Sequence, residues 1–330
     1  MRILAIESSC DETAASVVEN GKKILSNIVA SQIDVHAEFG GVVPELAARH
    51  HLEAIGPVVR KALTEANVTL NEINLITATQ GPGLMGALLC GFCFAKSLSF
   101  STGIDFVAAD HLEGHLLSPI LMDPAPTFPY VALLASGGHT AIYWVTAPTE
   151  FEKMGQTLDD AVGEAYDKVS KAMGMGYPGG KMIDDLAHEG DASKINFPRT
   201  YLDKDKFNFS FSGIKTAVSR YLEMCSSIEA EKANICAGFQ KAIIDVLVHK
   251  LLHAAKVKDC STICVVGGVA ANKGLRETLE KEKREMELFI PPLSLCGDNA
   301  AMIAVSAYWR YQRGERTFLA ADTYSQQRHG

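Results

Sequence analysis

The chain has 330 residues, of which 47% are hydrophobic and 21% are charged, and its formal net charge is −8. This composition provides for a large buried core and excludes long disordered stretches, and a chain of this length usually forms two domains or two lobes. The acidic balance argues against a protein that binds nucleic acid without help, so RNA binding would need a local basic patch or a partner.

The cellular location can also be predicted from the sequence. Residues 1–6 form only a brief apolar run before Glu7, unlike a secretory signal peptide. No uninterrupted apolar segment approaches the ~20 residues that a membrane span needs. Eight cysteines in a chain of this length do not indicate a disulfide scaffold. We therefore expect a cytoplasmic protein that has reduced cysteines and no membrane contact.

The predicted elements come in two rounds of strands and helices, which indicates an α/β chain. The first round has strands at residues 2–7, 13–18 and 23–29, a helix at 44–66, a strand at 73–77, an apolar helix ending near 103 and a strand at 106–109. The second has strands at residues 130–135 and 139–145, a mostly helical stretch at 155–255 with loops around 190–212, a strand at 262–266, a long helix, a strand near 288–290 and a closing helix. The chain thus resembles two related lobes with a cleft between them, divided near residue 109.

Two histidines follow the strand at residues 106–109. His111 and His115 are four residues apart, so on a helix they share one face and can reach one metal ion. Asp110 is placed as the N-cap of that helix, and Glu113 would complete a capping box. Two surface histidines without a metal are the alternative. A zinc peptidase of the HExxH type is disfavoured, because Glu113 is two residues from each histidine and points away from their face.

Asp298 is the best candidate for a third ligand, because it stands between Gly297 and the closing helix, where a carboxylate often faces a cleft. Simple N-capping of the closing helix is the alternative role for Asp298. Two histidines and one carboxylate with open positions suit Fe(II), and they also suit Zn.

Three glycine-containing loops, at residues 136–138, 177–180 and 267–268, could approach a phosphate group closely. Each is a weak signal alone, because hairpin turns and helix caps use the same residues. None matches a Rossmann or P-loop motif. Together with the histidine pair, the loops favour a nucleotide held over a metal. Basic residues interleaved with aromatic ones at 199–220 and 309–316 could contact RNA, or could form ordinary solvated faces.

In their order along the chain, these motifs closely resemble those of the TsaD family, long known as Gcp-type glycoproteases. The matching segments are residues 7–13 (ESSCDET), 44–47 (PELA), 49–51 (RHH), 81–84 (GPGL), 110–115 (DHLEGH), 136–140 (SGGHT), 163–168 (GEAYDK), 177–180 (YPGG), 209–216 (FSFSGIKT), 267–268 (GG), 271–272 (AN) and 297–302 (GDNAAM). The resemblance covers nearly the whole chain.

The resemblance implies a two-lobed fold of the actin-like, sugar-kinase and heat-shock ATPase type with a central cleft. We expect one lobe at residues 1–108 plus 300–330, and a second at 109–299 that carries most of the metal and adenylate site. The implied reaction transfers a threonylcarbamoyl group from threonylcarbamoyl-adenylate to N6 of the adenosine 3′ of the anticodon, in tRNAs that read codons beginning with A. AMP leaves and no covalent enzyme intermediate forms, because the donor is already activated.

The resemblance also assigns residues and partners. His111, His115 and Asp298 would hold one divalent metal, Fe(II) in preference to Zn. The adenylate or ATP would contact Leu134, Ala135, Ser136, Gly137, Gly138, Asp167, Gly180, Asp184 and Asn272. Asp11 or Glu12 could accept the proton of the attacking amine. Expected partners are tRNA, a TsaB-type paralogue in a heterodimer, a TsaE-type ATPase and a separate synthase that makes the donor.

Two other functional classes fit the same fold. An actin-like ATPase or small-molecule kinase would use acidic Mg²⁺ sites and would have no need of a histidine pair. A non-enzymatic scaffold that binds partners would tolerate loss of the three metal-ligand candidates, yet all three are present.

Overall fold

The computed structural model describes residues 1–202 and 206–326 and confirms an α/β chain of two units. The first unit comprises Met1–Ala125 and Asp298–Gly330, and the second comprises Pro126–Gly297. Each unit is built on a five-stranded sheet of its own.

The sheet of the first unit combines an antiparallel meander with two parallel strands. Its strands are β1 (Arg2–Glu7), β2 (Glu12–Glu19), β3 (Lys23–Ser31), β4 (Leu75–Gly81) and β5 (Asp105–Asp110). They lie in the order β3-β2-β1-β4-β5, in which β1, β4 and β5 are parallel to one another. The carboxyl ends of these three strands therefore meet at one edge of the sheet, where α/β folds commonly bind ligands.

The helices of the first unit pack around this sheet. They are α1 (Ile33–Ala37), α2 (Pro44–Glu65), α3 (Met85–Thr102), α4 (His111–Leu117) and α11 (Ala300–Gln312), with 3₁₀ turns at Leu70–Glu72 and Ser118–Leu121. α2 begins at a proline, whose fixed φ suits a first helical turn. α3 ends where Gly103 adopts a φ of 73°, the left-handed conformation that closes many helices.

The second unit repeats the topology of the first. Its strands are β6 (Tyr130–Ala135), β7 (Thr140–Ala147), β8 (Glu150–Gln156), β9 (Thr262–Val266) and β10 (Glu287–Phe289), in the order β10-β9-β6-β7-β8. β6, β7 and β8 form the antiparallel meander, while β9 and β10 run parallel to β6. All five residues of β9 are buried, as expected for a central parallel strand covered on both faces.

Helices also cover the sheet of the second unit. They are α5 (Val162–Ala172), α6 (Gly179–Ala187), α7 (Ser212–Met224), α8 (Ile228–Val257), α9 (Lys273–Glu282) and α10 (Leu293–Cys296), with a 3₁₀ turn at Gly268–Ala271. The 30-residue α8 buries sixteen of its residues, so it is the main core helix of this unit.

The structure departs from the sequence prediction at β8 and at the boundary between the units. β8 was not predicted, because its charged residues and mostly partial burial give it the pattern of an edge strand without clear alternation. The boundary between the units follows Ala125, not residue 108, because β5 pairs with β4 and α4 packs against α11. Residues 109–125 therefore belong to the first unit, and Asp298 joins them there.

Helix α3 is long and apolar enough to cross a bilayer, judged by length and composition alone. The sequence predicted no uninterrupted apolar segment approaching the ~20 residues of a membrane span, and Lys96 interrupts the 18 residues of α3. Core helices of globular proteins pass the same test, and Leu88, Phe92 and Ala95 of α3 are buried in the core of the first unit. We take α3 as a core helix with one exposed apolar face.

Candidate metal centre and ligand-binding loops

The two histidines lie on α4, at the edge where the parallel strands of the first sheet end. Asp110 caps this helix, because its Oδ1 accepts hydrogen bonds from the backbone N–H groups of Leu112 at 2.8 Å and Glu113 at 3.0 Å. The hydroxyl of Tyr324 donates to the other carboxylate oxygen of Asp110 at 2.6 Å. The predicted N-cap is therefore confirmed, and the start of α4 is fixed from two sides.

His111, His115 and Asp298 come together at this edge, with their ligand atoms within 4.8 Å of one another. Asp298 Oδ1 lies 3.0 Å from His115 Nε2 and 3.6 Å from His111 Nε2. Ligands about 2.1 Å from one ion are themselves about 3.0–3.4 Å apart at octahedral or tetrahedral angles. The donor set and the 3.0 Å contact between Asp298 and His115 therefore suit a single divalent metal ion.

Asp298 is not the N-cap of the closing helix. The side chain of Asn299 accepts the hydrogen bond from Met302 N at 3.1 Å and caps α11. Asn299 is 1% exposed, whereas the side chain of Asp298 is 19% exposed. The carboxylate of Asp298 can therefore serve the histidines without a cost to the start of the helix.

The charges around His111 favour a cation. Burial alone lowers the pKa of this histidine, but the carboxylates of Asp298 and Glu7 outweigh it and raise the pKa to about 9. A field that holds a proton on a buried imidazole also favours a bound metal ion at the same place.

Of the two candidate proton acceptors, Asp11 lies on the turn between β1 and β2, and Glu12 is the first residue of β2. Asp11 is buried, and Glu12 is half-buried, with Ser31 Oγ donating to it at 3.3 Å. Burial, together with the carboxylates of Asp298 and Asp11, raises the pKa of Glu12 well above its usual range. Glu12 is therefore a weaker acid than an ordinary carboxyl, and its ionised form is a correspondingly stronger proton acceptor.

Glu113 points away from the histidine face, as its spacing predicts. Its carboxylate is 1% exposed and accepts hydrogen bonds from Ser306 Oγ at 2.8 Å and Arg310 Nε at 3.1 Å. The predicted capping box is only half right, because this carboxylate binds α11 instead of the backbone of Asp110. Glu113 thus ties the helix of the two histidines to the helix that follows Asp298.

Two of the three glycine loops, at residues 136–138 and 267–268, lie at the carboxyl ends of the adjacent parallel strands β6 and β9, and the loop at 177–180 leads into α6. Gly137 and Gly138 are exposed, and a Cβ atom on either would meet no atom within 4 Å. Gly267 has a φ of 91°, and a Cβ atom there would lie 2.4 Å from the carbonyl oxygen of Ala135. A glycine is therefore required at 267, and the backbone at 137–138 is open to a ligand.

Of the predicted adenylate contacts, Leu134 and Ala135 are buried in β6, while Ser136 and Gly180 are half-buried. Three others hold the loops of the second unit together: Asp167 accepts from Gly179 N at 2.7 Å, Asp184 accepts from Lys273 N at 2.9 Å, and Asn272 caps α9 through Leu275 N at 2.8 Å. Gln240 joins this group, since its amide donates to Asp184 at 2.9 Å and accepts from Asn272 at 2.7 Å.

The basic stretch near the carboxyl terminus is largely paired within the protein. Arg310 binds Glu113, and Arg316 Nε donates to Asp105 at 2.9 Å and stacks on the Tyr311 ring. Arg199 of the other stretch pairs with Asp245 at 2.9 Å. These three arginines form ion pairs within the described part of the protein.

Comparison with known proteins identifies the family. The profile of the family described as "TsaD: tRNA N6-adenosine threonylcarbamoyltransferase" matches residues 23–305. A tRNA N6-adenosine threonylcarbamoyltransferase of Desulforapulum autotrophicum is 51% identical over 99% of this chain and 99% of its own length. The protein of that name from Thermosipho africanus is 48% identical over 95% of this chain and 96% of its own length.

The chain belongs to the TsaD family. It is accordingly an enzyme of the transferase class, and the resemblance of its motifs to that family is confirmed.

Solved structures of two differently named proteins align with this chain. Full-length HypF in a phosphate- and nucleotide-bound form aligns with a TM-score of 0.64 at 12% identity, over 95% of this chain and 46% of that one. Component A of the Acidaminococcus fermentans (R)-2-hydroxyglutaryl-CoA dehydratase aligns with a TM-score of 0.57 at 17% identity, over 95% and 98%. These likenesses confirm the actin-like ATPase type of fold, and at such identities they show the fold alone.

Within this TsaD-family chain, the sequence analysis missed the partners of the metal-site residues. Glu7 contacts His111, Arg310 contacts Glu113 and Tyr324 contacts Asp110. The motif at residues 7–13 contained Glu7, but only the tertiary structure brings it against a histidine 104 residues later.

Proposed function

We propose that this protein transfers the threonylcarbamoyl group from threonylcarbamoyl-adenylate to N6 of the adenosine 3′ of the anticodon, in tRNAs that read codons beginning with A. Membership of the TsaD family supports the reaction class. The observation that carries the proposal is the His111, His115 and Asp298 cluster, whose spacing suits one metal ion. A kinase of this fold would have no use for two histidines at the end of β5.

The three side chains would hold a divalent ion, Fe(II) by preference and Zn as the alternative. Such an ion would supply Lewis-acid polarisation of an oxygen on the donor. The donor is a mixed anhydride, so the amine of adenine attacks its carbonyl carbon directly. The new N–C bond forms, the carbonyl–phosphate C–O bond breaks, and AMP leaves with the electron pair. No side-chain nucleophile is needed.

The adenylate would bind at the loops of the second unit, including residues 134–138, Asp167, Gly180, Asp184 and Asn272. Exposed backbone at Gly137 and Gly138 can approach a phosphate without steric hindrance. The hydrogen bonds of Asp184 and Asn272 to the start of α9 would keep these loops in place before the ligand arrives. Such preorganisation matters because an exocyclic adenine amine is a weak nucleophile, and positioning can supply much of the rate.

Glu12 is the proton acceptor that we favour for the attacking amine. Glu12→Gln should lower kcat by about 10²–10⁴-fold, the usual contribution of a general base. The raised pKa of Glu12 also predicts that the wild-type rate falls as the pH drops through that pKa, because the protonated carboxyl cannot accept a proton. The variant should lose this limb of the pH–rate profile.

Glu19→Gln is the matched control for Glu12, since it makes the same change at the far end of β2. It should leave the rate and the pH profile unchanged. Full activity of Glu12→Gln, with Asp11→Asn inactive, would move the role of base to Asp11.

Partners would complete the system: tRNA, a TsaB-type paralogue in a heterodimer, a TsaE-type ATPase and a separate donor synthase. The net charge of −8 and the internally paired arginines support a need for help in binding tRNA.

An open apolar groove of about 500 Å³ between α2 and α3, lined by Leu52 and Leu89 among others, is a surface that a protein partner could cover. A tRNA substrate would also place the protein in the cytoplasm.

Reconstitution tests the proposed reaction directly. The full chain, with the paralogue, the ATPase and the donor synthase, is incubated with unmodified tRNA, threonine, bicarbonate and ATP. Mass spectrometry of the nucleosides should show threonylcarbamoyladenosine only when this chain and its metal are present. When tRNA is omitted, no phosphorylated small molecule should be formed. Phosphorylation of a small molecule in place of tRNA modification would contradict the proposal.

A further inference from the structure

We infer that Glu7 is a positioning residue that holds His111 in the ring orientation and tautomer that a metal ion requires. Glu7 stands at the carboxyl end of β1 and is 0% exposed. Its Oε2 lies 3.0 Å from Nδ1 of His111. The inference rests on the proposed metal site and adds a residue outside its ligand set.

The surroundings of Glu7 show that its carboxylate acts as an acceptor. Ser9 N donates to Oε1 at 2.5 Å, and the hydroxyl of Thr79 donates to Oε2 at 2.6 Å. An ionised carboxylate has acceptors only, so the hydrogen atom between Glu7 and His111 belongs to Nδ1 of the histidine. The lone pair is then left on Nε2, the nitrogen that faces Asp298 at 3.6 Å.

The hydroxyl of Ser9 also lies 3.2 Å from Nδ1 of His111. A hydroxyl can accept as well as donate, so it can share the Nδ1 hydrogen with Glu7. Both partners approach the same ring nitrogen, and both leave Nε2 open.

His115 lacks an equivalent support among the described residues. Its Nε2 lies 3.0 Å from Asp298, while its Nδ1 is buried with no hydrogen-bond partner in the described part of the chain. The two histidines therefore differ: Nδ1 of His111 faces a buried carboxylate, and Nδ1 of His115 has no such partner among the described residues. Of the two histidines, loss of Glu7 should affect His111 directly.

Carboxylates that orient a metal-bound histidine typically contribute about 10–100-fold to metal affinity. The test uses the purified full chain, loaded with zinc as a diamagnetic probe, and the variant Glu7→Gln. Zinc affinity, measured by competition with a chelator, should be about 10–100-fold weaker in the variant. Glu72→Gln, the same change at an exposed position on a 3₁₀ turn, is the matched control and should bind zinc as the wild type does.

A second readout does not depend on the folding of the variant. In proton NMR, the zinc-loaded wild type should show a slowly exchanging imidazole proton on Nδ1 of His111, assigned by its absence in His111→Gln. If Glu7 only stabilised the fold, the Nδ1 proton of His111 would not need to be held in slow exchange.

The outcomes separate the two claims. Unchanged zinc affinity in Glu7→Gln, or a proton on Nε2 of His111 in the wild type, would overturn the role of Glu7 and leave the metal site standing. Failure of the wild-type chain to bind zinc or iron at all would overturn the metal site, and this inference with it.

Discussion

Asp298→Asn should release the metal ion and reduce threonylcarbamoyl transfer to background while the protein stays folded. The substitution keeps the shape of the side chain but removes the charge that joins both histidines. Because Asp298 is a direct ligand in the proposed site, we expect a loss of metal affinity beyond the roughly 10–100-fold typical of outer partners. Loss of the Lewis acid should lower the rate by about 10³-fold or more. Elemental analysis and the tRNA nucleoside assay measure the two effects.

The fold should survive this change, because Asn299 caps α11 and Asp298 does not. Asp105→Asn is the matched control. It makes the same change at the start of β5, the opposite end of the strand from the site, and affects only the surface contacts of Asp105 with Arg316 and Tyr311. It should leave metal content and transfer unchanged. Stoichiometric metal with full transfer in Asp298→Asn would remove Asp298 from the ligand set.

The metal-ligand candidates could be predicted because two of them are close to each other in the sequence. His111 and His115 are four residues apart after a predicted strand, so helical periodicity alone brings them to one face. Asp298 is far away in sequence, and its position before a helix left ligation and N-capping equally open. Only the hydrogen bond from Met302 to Asn299 decides between the two roles.

The division into units and the partners of α4 could not be predicted, because they depend on contacts distant in the sequence. A break near residue 109 looked natural where a strand meets a new helix, yet α4 packs on α11, almost 200 residues later, and stays in the first unit. The role of the basic stretch near Arg310 could not be predicted for the same reason. Its charge pattern allowed an RNA contact, whereas in the structure Arg310 forms an ion pair with the buried carboxylate of Glu113.

Arg310→Met should markedly destabilise the protein without touching a metal ligand. The guanidinium lies 2.5 Å from Glu113 Oε2, and the carboxylate is 1% exposed. Burial raises the pKa of Glu113, although its contacts with Arg310 oppose this shift. An intact buried ion pair generally adds little net stability, because the cost of desolvation offsets the attraction. Removal of one member is different, since it leaves a buried unpaired charge and typically costs about 3–5 kcal/mol. Because Arg310 is 28% exposed, we expect about 3 kcal/mol.

Two further variants isolate the cause of this loss. Glu113→Gln combined with Arg310→Met should recover most of the stability, because no buried charge is then left unpaired. Glu315→Gln breaks only the exposed contact of the same arginine and should cost at most about 1 kcal/mol. Urea unfolding in a Trp144→Phe background measures all three, since Trp309 then reports on the first unit alone. Equal losses in the single and double variants would show that the side chain of Arg310 stabilises α11 by packing. Recovery in the double variant would instead establish an ion pair that fixes α4, with its two histidines, against the helix that follows Asp298.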